Sequence, residues 1–88
     1  MAKDYRVFAH LEVLDSLPKS GKRRAAVIQF LQILGQVAHL GGDYERDDPD
    51  LDRTVSVSEI SGFAITWWID EPVLEVKVVD IKLAANKG

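Results

Sequence analysis

The last third of the chain, from Arg53 to Lys82 (RTVSVSEISGFAITWWIDEPVLEVKVVDIK), leaves few folds open. Three runs rich in Val, Ile, Thr, Phe and Trp are split by two compact breaks, Ile60-Ser61-Gly62 and Asp70-Glu71-Pro72. Runs of this composition read as strands, and breaks this short make neighbouring strands antiparallel. The spacing therefore predicts a three-stranded meander closing the chain.

Upstream, Lys3 to Phe8 reads as a first strand, carried by Tyr5, Val7 and Phe8. Leu11, Val13, Leu14 and Leu17 then form an apolar stripe at helical spacing, ended by Pro18. Ser20 is positioned to cap a second helix running from about Gly21 to about Ala38. Val27, Phe30, Leu31, Leu34 and Ala38 give it an apolar face that Ile28, Ile33 and Val37 widen. Arg23 and Arg24 enter its first turns, where they oppose the helix dipole. The pair Gly41-Gly42 reads as its stop.

Eighty-eight residues make one domain, 1–88, which folds with little margin because a chain this size buries roughly 60 to 65% of its unfolded surface. The chain has no cysteine, which rules out disulfides and thiolate metal sites and suits a reducing, cytoplasmic setting. No stretch approaches the ~20 apolar residues of a membrane span, so no membrane is expected as a partner. The net charge of −3 argues against strong nonspecific binding to nucleic acid. That charge is uneven: residues 43–52 (DYERDDPDLD) hold six acids against Arg46 alone. Their spacing lacks the alternation, the glycine and the closing glutamate of a calcium-binding EF-hand, so they read as a solvated acidic loop. No metal and no cofactor is expected.

Alternation assigns faces to the meander. Val55 and Val57, then Phe63, Ile65, Trp67 and Ile69, then Leu74, Val76 and Val78 form the face expected against the helices. The opposite face carries Thr54, Ser56, Thr66, Trp68, Glu75, Lys77, Val79 and Ile81. Trp68, Val79 and Ile81 are apolar on this otherwise polar face, and monomers seldom leave such a patch open. They are the candidate partner-binding residues. The alternative is that the C-terminal tail or the acidic loop folds over them.

A strand, two helices and a C-terminal meander in so short a chain resemble the RelE/ParE toxin superfamily. DYRVFAHLEVLDSLPKSGKRRAAVIQFLQIL is similar to that family's opening, with Leu17-Pro18 at the corner of a helical hairpin. GDYERDD, an Arg-led strand and GFAITWWIDEPVLEVKVVDI resemble its ending, above all in the plasmid-stabilisation or addiction-module branch. The resemblance covers roughly residues 4 to 83. It implies an α+β fold in which the N-terminal strand and a two-helix hairpin pack on one face of the meander. It also implies a cytoplasmic toxin-like component of a bacterial type II toxin–antitoxin pair, neutralised by a cognate antitoxin protein. RelE-like members cleave mRNA on the ribosome, and ParE-like members inhibit DNA gyrase.

RelE-like cleavage needs no metal: an RNA 2′-hydroxyl attacks the adjacent phosphate, helped by cationic side chains and a Tyr or His. The resemblance makes Arg53, Lys77 and Lys82 the catalytic candidates, and these with Arg46 the candidates for holding phosphate. The chain departs from the pattern in two places. Ala64 to Asp70 contains no Arg, and the tail LAANKG offers only Lys87. His10 and His39 fall at helix ends, remote from the expected site. The first expectation is therefore action by binding, as a gyrase-type or degenerate toxin. An active mRNA interferase and an unrelated small protein-interaction domain are the alternatives, with a homo-oligomer through the open sheet face as a further possible assembly.

Overall fold

The computed structural model describes residues 4–84. Strand β1 (Arg6–Ala9) is followed by a 3₁₀ turn over Leu11–Ser16 and by helix α1 (Lys22–Val37). A second 3₁₀ turn, Ala38–Leu40, leads to β2 (Tyr44–Asp48), β3 (Arg53–Ile60), β4 (Phe63–Asp70) and β5 (Glu75–Leu83). The five strands form one mixed sheet in the order β1-β5-β4-β3-β2. β1 lies parallel to β5, and every other pair is antiparallel. The fold is α+β, with the meander as β3-β4-β5. The expected first strand is displaced toward Ala9, and Lys3 lies outside the described residues.

The two-helix hairpin is not present: α1 is the one α-helix among the described residues. The apolar stripe of residues 11–17 is used, with Leu17 buried and Val13 and Leu14 packed against the core. It forms a 3₁₀ turn because the segment between His10 and Pro18 is too short to recover the cost of nucleating an α-helix. Leu17 is already extended, and its amide donates to the Leu14 carbonyl at 3.0 Å. Ser20 does not cap α1; Gly21 stands at the N-cap and makes no side-chain hydrogen bond. The two arginines of the first turns are tied back to the fold. Arg23 Nε donates to the Ser61 carbonyl at 3.0 Å and its guanidinium lies 4.6 Å from the Phe63 ring centroid. Arg24 donates to the Pro18 carbonyl at 3.2 Å.

The acidic segment is a hairpin arm, not a loop. β2 pairs with β3 from Tyr44↔Val57 to Asp48↔Arg53. Its acids satisfy nearby donors. Asp48 Oδ1 accepts the amides of Asp50 and Leu51 at 3.0 and 3.3 Å, Asp47 accepts the Thr54 hydroxyl at 3.0 Å, and Asp43 accepts the Glu59 amide at 2.7 Å. Short polar side chains that bond the backbone two residues on shape turns of this kind.

α1 covers one face of the sheet. Val27, Leu34 and Ala38 meet Phe63, Ile65, Trp67, Val76, Val78 and Ile81, with Tyr5 and Leu17 closing the sides. The helix comes close because of Gly35, where a Cβ would strike the Tyr5 carbonyl oxygen. The Tyr5 amide donates to the Gly35 carbonyl at 3.0 Å, so backbone meets backbone there.

Three face assignments differ from those read by alternation. Ser56 pairs with Trp67 and Ser58 with Ile65, which puts the serines of β3 on the helix side. Val55 and Val57 therefore lie on the far face, where they are still buried. Leu74 is 45% exposed, since the chain turns through a left-handed conformation there before β5 begins. Ile81 moves the other way. Thr66 pairs with Asp80 but Trp67 pairs with Val78, so Val79 is an extra residue opposite no partner. A bulge of this kind inverts the alternation beyond it. Ile81 then pairs with Ile65 in the core and is 1% exposed.

Candidate functional site

The face of the sheet away from α1 holds the candidate site. Three strands and one hairpin loop build it. Phe8 of β1, Lys77 of β5 and Trp68 of β4 stand in adjacent rows, through the pairs Phe8↔Lys77 and Trp68↔Lys77. Leu51 reaches in from the β2–β3 turn, and His10 from the end of β1. Phe8, His10, Leu51, Trp68, Lys77 and Val79 line a groove of about 280 Å³. The bulge contributes directly, because the residue it frees from strand pairing is Val79.

Aromatic and cationic groups are layered along this groove. The Arg53 guanidinium lies 3.6 Å from the Trp68 ring centroid, a stacking distance at which cation and π-face attract. The Phe8 and His10 rings meet edge to face at 5.2 Å. Lys77 Nζ sits 5.6 Å from the Phe8 centroid. Two carboxylates hold that ammonium, Glu75 at 3.2 Å and Asp70 at 3.7 Å. A phosphate group arriving at Lys77 would have to displace them.

The sequence candidates separate cleanly in space. Arg53, Lys77, Trp68 and Val79 converge on the far face. Arg46 shares that face two strands away, level with Val55, and lies 4.0 Å from Asp48. Lys82 is exposed opposite Ala64, beyond the bulge, and does not line the groove. Ile81 is removed from the partner-binding set by its burial against Ile65. Lys87 lies outside the described residues.

Three residues of the groove, Phe8, His10 and Leu51, were missed from sequence, Phe8 being read only as part of the first strand. His10 was read as remote from the site, whereas its turn brings it beside Phe8 and Lys77. Leu51 was read as part of a solvated loop. The available signal for His10 was its position two residues after Phe8 on an extended strand, which keeps both on one side. Nothing local marked Leu51, whose place depends on a hairpin.

Among the described residues, no group of three or more His, Asp or Glu side chains is arranged to hold a metal ion. Among the described residues, no helix is long and apolar enough to cross a membrane. Comparison of the chain with models of protein families, with curated proteins and with solved structures gives no match.

Proposed function

We propose that this chain is a toxin-like component of a bacterial type II toxin–antitoxin pair, related to the RelE/ParE superfamily, and that it acts by binding. The reading rests on the resemblance of residues 4 to 83. One observation carries its binding half: α1 covers a single face of the sheet, and the opposite face bears an open groove with Trp68, Phe8 and Leu51 in its walls. Aromatic side chains in a concave, half-desolvated site are the usual anchors of a protein interface. The cognate antitoxin is the partner expected there, and gyrase the expected target. Induction of the wild-type chain in a sensitive bacterium should arrest growth, and co-expression of the neighbouring gene's product should relieve the arrest. Trp68→Glu should abolish binding to that product. Unchanged affinity in Trp68→Glu would remove the groove as the binding site.

A ribosome-dependent mRNA interferase is the second reading, favoured by one specific observation. His10 and Lys77 line the same groove, with Arg53 stacked on Trp68 at its rim. An imidazole is a fitting general acid or base for 2′-hydroxyl attack on phosphate, and the cations are suited to its developing charge. This reading expects cleaved transcripts after induction, lost in Arg53→Ala and in His10→Ala. Intact transcripts during growth arrest would leave binding as the mode of action.

A further inference from the structure

We draw no further inference here: the strongest candidate, the outward stripe of α1, which has no charged residue from Ala25 to Val37 and leaves Ile33 45% exposed, carries nothing because nothing in the structure shows what covers it.

Discussion

The indole N–H of Trp67 donates to the Ser58 hydroxyl at 3.0 Å inside the core. Trp67 is the largest fully buried side chain, and its one polar atom would be stranded without this serine. The pair explains why β3 turns its serines, not its valines, toward α1: Ser56 and Ser58 leave room for the ring and supply its acceptor. Ser58→Ala should destabilise the fold by about 1–3 kcal/mol, the desolvation penalty of a buried donor left unpaired. Urea unfolding at constant slope would measure it, and a loss under about 0.5 kcal/mol would show that the bond contributes little.

Gly35 sits in the last turn of α1, where alanine is still intrinsically better, by up to about 1 kcal/mol. The position nevertheless excludes a methyl, because a Cβ would collide with the Tyr5 carbonyl oxygen. Backbone atoms cannot rotate away as a flexible side chain can. Gly35→Ala should therefore destabilise by about 1–3 kcal/mol despite its higher helix propensity. Thermal unfolding checks the sign, and a raised midpoint would contradict the close approach of α1 to β1.

Val79 and Ile81 looked equivalent in sequence, and the bulge makes them opposites. Ile81→Ala should lower stability by about 2–5 kcal/mol, as expected for a truncated core residue. Val79→Ala should lower it by about 1 kcal/mol or less and should act instead on binding at the groove. Equal losses of stability in the two variants would place Val79 in the core and undo the groove.

Arg53 stacks on Trp68 from an exposed position, so its contribution to folding is small. Arg53→Ala should reduce stability by about 0.5–1 kcal/mol, the usual size of an exposed cation–π contact. Tryptophan emission should shift, because the ring loses its covering guanidinium. An unchanged spectrum would mean that the stack is not populated in solution.

Much of this fold was legible in the residues themselves. The runs within 53–82 and their short breaks marked three antiparallel strands, and the apolar spacing of residues 27–38 marked the helix. Trp68 and Lys77 were correctly assigned to the face away from that helix, because alternation holds across the middle of β4 and up to the bulge in β5. The helix expected over residues 11–17 failed because periodicity reports which side of a segment is apolar, not whether the segment is long enough to nucleate. β2 was hidden by its charges: YERDD is a poor strand by composition, and it becomes one by pairing with β3 and having its acids satisfied.

The sequence by itself determined which residues alternate, where the chain must turn and which segment must be helical, since each of these depends on neighbours a few residues away. Only the tertiary structure decided which side of β3 meets the helix, that Val79 is an unpaired bulge, that Ile81 is core, and that Phe8 and Leu51 join Trp68. Those outcomes follow from the register between strands and from the volume of Trp67. Both are relations between residues far apart in the chain, on which local pattern carries no information.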